Sequence, residues 1–177
     1  MIRDILIHPD PRLKKVCPPV ESVDAEIRRQ MDEMLATMYD APGIGLAAPQ
    51  IGVLNRVIVM DCAPRETEEG NPGTPDPLFL ANPEILWRSD EMDEREEGCL
   101  SIPDIYANVT RHAQVHVRFL NREGVEETRE FSGIWSVCVQ HEIDHLNGKL
   151  FIDYLSPMRR QMITQKMKKL KRSRAAG

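Results

Sequence analysis

The chain has 177 residues, 41% of them hydrophobic and 29% charged, with a formal net charge of -5, a balance that supports one well-buried core without a metal or disulfide to hold it. No apolar run approaches the roughly 18 residues of a membrane span, and the N-terminal "MIRDILIHPDPRL" carries Asp4 and lacks a signal peptide's long apolar stretch and cleavage site, so a cytoplasmic location with no membrane attachment is expected. The widely spaced Cys17, Cys62, Cys99 and Cys138 form no CxxC pair and point to neither a zinc ribbon nor a disulfide framework.

From Asp24 to Tyr39 the residues Ile27, Met31, Met34, Leu35 and Met38 recur at helical spacing, which predicts an amphipathic helix with one buried face. The methionine stripe reads as core. "APGIGLAAPQIG" then breaks the pattern with Gly43, Gly45, Pro49 and Gly52 and leads into a short β-branched strand, "RVIVMD". Residues 63–77, with four prolines and two glycines, read as an exposed loop, and no role follows from their sequence. Strands are predicted at Leu78–Trp87, Gly98–Ile102, Gln114–Leu120 and Val125–Phe131. In "QVHVRFL" the alternation sets Val115, Val117 and Phe119 on one face and His116 and Arg118 on the other, the pattern of a half-solvated antiparallel strand.

A helix is predicted from about Ile134 to Leu146, stopping at Asn147-Gly148 in a left-handed cap. Another begins after Pro157 and runs to about residue 174 with an Ile163, Met167, Leu170 stripe. From Tyr154 onward the chain holds eight Lys and Arg residues and no acid, which leaves 23 − 8 = 15 bases against all 28 acids in the rest. An acidic body thus carries a basic tail. No internal repeat or domain-sized linker occurs, so residues 1–177 are read as a single domain.

Within "QHEIDH", His141 and His145 lie one helical turn apart, so both imidazoles can reach one metal ion while Glu142 lies beside a bound water. A catalytic metal needs a third protein ligand. No glutamate follows His145, and Phe151 stands where a metzincin carries its third histidine. Asp153 reads as a cap or ion-pair partner at the start of the tail. Cys138 shares the histidine face but lies nearly a turn away on a short side chain, beside the pocket and off the metal. His112 and His116 have no local partner. Cys99, in "EEGCLSIP", follows Gly98 and would present its sulfur beside the Leu100 N–H; with two imidazoles it makes a reasonable set for zinc or another transition metal. Taken alone, its ordinary reading is a small buried apolar residue.

The segments "GIGLAAPQ", "EGCLS" and "QHEIDH" occur in the order and approximate spacing of the three signatures of the peptide deformylases, and "ANPEIL" and "LFIDYLSP" extend the likeness over nearly the whole chain. The resemblance implies an α+β fold with antiparallel strands around a central HExxH helix and a C-terminal helix. It implies that Cys99, His141 and His145 bind one divalent metal, ferrous iron in many members, although zinc, nickel or cobalt also suits such a site. Glu142 would move the proton of the attacking water, and the Gln50 amide and Leu100 N–H would hold the oxyanion. Gly43, Ile44, Gly45, Glu97 and Gly98 would bind the peptide, with Ile134, Val137 and Cys138 around the methionine side chain. The expected substrates are formyl-methionyl nascent peptides, and the family's use of a C-terminal helix on the ribosome makes Arg160, Lys168, Lys171 and Arg172 candidate phosphate contacts. The likeness departs at Tyr106, where many bacterial relatives carry arginine while Arg111 keeps a familiar basic position; contacts beyond methionine are expected to differ.

Other readings leave features unexplained. A zinc peptidase accounts for HExxH but not for "EGCLS" or "GIGLAAPQ". A ribosome- or RNA-binding protein with a structural metal would need a closed four-ligand site. An inactive relative would lack a chemical residue, and none is missing.

Overall fold

Asp24 starts the first helix of the computed structural model, which describes residues 1–177: its carboxylate accepts from the Ile27 amide at 2.9 Å and caps α1 (Ala25–Asp40). Met31, Met34 and Met38 of the predicted stripe are fully buried, with Ile27 and Leu35 packed beside them. Burying such a side chain stabilises by about 1.5–3 kcal/mol, which fixes α1 against the strands through its apolar face.

Seven strands follow: β1 (Gly45–Ala47), β2 (Val57–Met60), β3 (Leu78–Arg88), β4 (Met92–Cys99), β5 (Ile102–His112), β6 (Gln114–Leu120) and β7 (Glu126–Ser132). Five pair antiparallel in the order β1-β2-β3-β6-β7, while β4 and β5 form a separate hairpin. Along β6 burial alternates as its sequence predicts, with Val115, Val117 and Phe119 inward. The segment Gly98–Ile102 is not one strand. It is the end of β4, a turn at Leu100 and Ser101, and the start of β5. The β4 run from Met92 to Glu97 has five charges in six residues and stays mostly exposed, so its backbone ladder, not an apolar face, marks it as a strand.

Helix α2 (Gly133–Leu146) crosses the middle of this arrangement. Val139, Ile143 and Leu146 fit among Ile58, Met60, Val117 and Phe131 of the sheet, which turns the helix's other side toward the hairpin. It stops as expected: Gly148 has φ +75, and a Cβ there would fall 2.5 Å from the Lys14 carbonyl. Asp153 accepts from the Leu150 amide and pairs with Lys14.

The C-terminal helix α3 (Pro157–Ala176) is capped by Ser156. Ile163 and Met167, with Leu170 beside them, pack on Ile102, Val109, Phe151 and Ile152 behind the hairpin. No helix is long and apolar enough to cross a membrane. The architecture is α+β, with antiparallel strands about a central helix.

Candidate active site

Cys99, His141 and His145 converge where the end of β4 meets α2: a sulfur and two imidazole nitrogens lie within 4.8 Å of one another. His145 Nε2 stands 3.4 Å from the Cys99 sulfur. A tetrahedral ion bound at ordinary Zn–S and Zn–N lengths would hold such atoms about 3.5 Å apart, so the donor set fits a divalent transition metal. The two rings meet edge to face with centroids 5.1 Å apart, and Phe151 stacks on His141 at 6.2 Å.

One imidazole is prepared for that task from behind, while the buried Nδ1 of His145 has no hydrogen-bond partner. His141 Nδ1 lies 2.9 Å from a Glu97 carboxylate oxygen; an ionised carboxylate only accepts, so Nδ1 donates to it and Nε2 is the nitrogen available to a metal. Burial alone would raise the Glu97 carboxyl, but hydrogen bonds from His141 and Arg111 outweigh it and hold the group below its usual range. Burial works against a charged His141 as well, yet Cys99 and Glu97 raise its pKa well above the ordinary value, so a metal binding at Nε2 would displace a proton held there. Burial and the positive charges of His141 and Arg111 push His145 well down, which keeps its imidazole neutral.

Glu97, expected to bind substrate, lines the cavity and also supports His141 from behind. Its carboxylate also takes two hydrogen bonds from Arg111, at 2.6 and 3.0 Å, which leaves it committed behind His141. Arg111 in turn reaches Asp144 at 2.9 Å, and Tyr154 donates to the same Asp144 oxygen at 2.7 Å. Arg111 is thus a buried brace and not a peptide contact. Removing one partner of such a buried pair costs about 3–5 kcal/mol. The sequence held a signal for it: Ala107, Val109 and Arg111 alternate along β5 and are all buried, so the arginine had to find carboxylates inside.

Glu142, 2% exposed, follows His141 on α2, with a carboxylate oxygen 3.9 Å from His145 Nε2. Burial pushes its carboxyl up to about 7. The segment 43–45 closes over it, and a Cβ on Gly45 would fall 2.6 Å from the Glu142 carboxylate and 2.8 Å from the Cys138 sulfur; only glycine permits this approach. Gln50 is equally buried. Its carbonyl oxygen accepts from Ala47 N, while its amide nitrogen lies 3.1 Å from Ser101 Oγ and 3.5 Å from the Cys99 sulfur. The amide therefore donates to Ser101 and turns toward the Cys99 sulfur. At the adjacent turn no backbone carbonyl takes the Leu100 N–H, which leaves it a donor beside the same site.

A cavity of about 1390 Å³ opens in front of these groups. Gly43, Ile44, Gly45, Gln50, Glu97, Gly98, Cys99, Leu100, Ile134, Val137, Cys138, His141 and Glu142 all contribute to its lining, and His145 lies behind them. Val137 and Cys138 are buried at its floor while Ile44 and Ile134 stand half open at its mouth. Cys138 is beside the ligand cluster and outside it. Tyr106 also lines the cavity, its ring lying so close over Gly98 that a Cβ there would meet it at 2.7 Å; it offers an uncharged surface.

Comparison with known proteins agrees with this geometry. The family described as polypeptide deformylase matches residues 2–161. The peptide deformylase of Phenylobacterium zucineum is 54% identical over 168 residues, covering 95% of this chain and 96% of that protein. A crystal structure of peptide deformylase from Ehrlichia chaffeensis superimposes with a TM-score of 0.90 at 37% identity, covering 99% of each chain. A second structure from that organism, in complex with actinonin, gives 0.88 at 39% identity, covering 97% of this chain and 98% of that one.

Proposed function

The chain belongs to the polypeptide deformylase family, metal-dependent hydrolases that remove the N-formyl group from new polypeptides, and from that premise we propose that Cys99, His141 and His145 hold its metal and Glu142 carries its protons. The observation that carries this reading is the three-ligand cluster beside a buried carboxylate at the floor of an open cavity. A closed structural site would use a fourth protein ligand.

When bound, the metal supplies Lewis acidity, polarising the formyl oxygen and acidifying a water molecule. Glu142 takes the proton of the attacking water and returns it to the leaving amine. Gln50 and the Leu100 N–H donate to the oxyanion that forms as the water adds to the formyl carbon. Gly43, Ile44, Gly45 and Gly98 line an extended peptide, and Ile134, Val137 and Cys138 receive its methionine side chain. Formate and a free methionyl amine leave. Residues 1–177 act as one deformylase domain.

Ferrous iron is the working ion in this reading, since a cysteine with two histidines accepts several divalent metals and supply decides among them. Protein reconstituted anaerobically with iron, nickel or cobalt should release formate from a formyl-Met peptide. The iron form should then lose activity fastest in peroxide, because peroxide attacks both iron and thiolate, and catalase should protect it. Equal lifetimes for all forms overturn the iron assignment.

New peptides emerge at ribosomes in the cytoplasm, and the basic α3 suits docking there. Ile163 and Met167 anchor the helix while Lys168, Lys169 and Arg172 stand exposed; Arg160 and Lys171 are half-buried. Deleting the helix would strip the hairpin's core, so charge reversal is the cleaner test. Changing Lys168, Lys169 and Arg172 to glutamate should reduce co-sedimentation with ribosomes at low salt, where phosphate contacts are strongest, while short-peptide hydrolysis continues. Undiminished sedimentation of the triple variant contradicts the docking role.

A further inference from the structure

The loop 63–77 returns to the groove through one side chain. Arg65 Nη2 donates to the Gly43 carbonyl at 3.0 Å and to the Asp61 carbonyl at 3.1 Å. Its Nη1 lies 3.3 Å from the Asp61 carboxylate, and its guanidinium carbon stands 5.0 Å from the centroid of the Tyr39 ring. Asp61 is fully buried. It accepts from the Tyr39 hydroxyl at 2.6 Å and from the amides of Ala63 and Asp76, both at 3.0 Å. One carboxylate thus gathers the two ends of the loop and the base of the arginine. Burial alone would raise the Asp61 carboxyl, but the Tyr39 hydroxyl, the two amides and Arg65 hold it below its usual range, so the pair stays charged.

Gly43 precedes β1 and has no ladder of its own. Its amide donates to Met38 O at 2.7 Å, no backbone amide donates to its carbonyl, and Arg65 is the group that takes it. Next to it the Ile44 carbonyl accepts from Asp61 N at 2.8 Å, so the same network grips two successive residues from the side away from the cavity. The opposite wall is close: a Cβ on Gly43 would meet Leu100 Cδ1 at 2.8 Å. A small outward drift of segment 43–45 therefore widens the groove between Ile44 and Leu100. Arg65 itself does not line the cavity.

We infer that Arg65 is a positioning residue for substrate binding, latching segment 43–45 at the separation from Leu100 that an extended peptide requires. This rests on the reading of that segment as a substrate-binding wall. It also gives the loop 63–77 a task, because the loop carries the latch and Asp61 closes its base. The latch acts on binding and not on proton transfer, since Glu142 and the metal ligands sit on α2 and β4.

Steady-state kinetics of the metal-loaded Arg65→Ala protein with a formyl-Met tripeptide test this. Losing a partly exposed charged hydrogen bond should raise KM about fivefold, while kcat stays within about twofold and metal content is unchanged. Arg65→Lys keeps the charge beside Asp61 but cannot fork onto two carbonyls, so its KM should fall between the two and guards against an alanine variant that folds poorly. Ile44→Ala serves as the reference for the wall itself. If Ile44→Ala raises KM and Arg65→Ala does not, the latch is wrong. If neither raises KM, the wall's role fails and the latch with it. A fall in kcat at constant KM for both Arg65 variants also overturns the inference.

Discussion

Glu142→Ala is expected to abolish nearly all turnover, by about 100- to 10,000-fold for loss of a positioned acid–base group, while the protein keeps its metal. The two halves of that outcome come from different atoms. The ligand cluster is Cys99, His141 and His145, and none of these is touched. What disappears is a buried carboxylate that stands beside the cluster, faces the cavity and is not tied up by Arg111. Glu97 cannot substitute for it, because its oxygens are engaged by Arg111 and His141. The check is formate release measured on protein whose metal content has been assayed. Near-normal turnover in a fully loaded Glu142→Ala protein would sink the assignment.

Cys99→Ser should act the other way, lowering metal affinity before it touches any proton transfer. A hydroxyl is a harder and poorer ligand than a thiolate for late divalent metals, so the loss should exceed the about 10- to 100-fold that removal of a supporting group costs. The fold should survive the change, since Cys99 lies at a turn and is only half-buried. Competition with a metal-binding dye reads the affinity. Wild-type affinity together with wild-type activity would move the third ligand elsewhere.

The parts of the molecule legible in the sequence are those where burial repeats at a fixed period. The Met31, Met34 and Met38 stripe and the Val115, Val117 and Phe119 alternation each meet a core on one side, so hydrophobic spacing alone defines α1 and β6. Gly148 marks the end of α2 because its φ excludes most other residues. The histidine pair was legible for the same reason, as one helical turn is a fixed distance. The hairpin β4–β5 was not, because its outer strand is charged and is held by backbone pairing that leaves no period in the side chains. The turn at Leu100 therefore reads as strand in the sequence, and the bond from Glu97 to His141 leaves no sign there. The reason is distance: Arg111 lies fourteen residues from Glu97 and Asp144 lies on α2, and nothing local in the sequence brings the three together. The same limit hid Arg65, whose partners Gly43 and Tyr39 are 22 and 26 residues away.

A metal titration of the metal-free protein under anaerobic conditions, followed by formate release from a formyl-Met tripeptide, tests the central claim most directly. Activity should be absent at the start, rise in proportion to added ferrous ion, and stop rising at one ion per chain. Formate release at full rate before any metal is added, or a rate indifferent to metal throughout, would contradict the account.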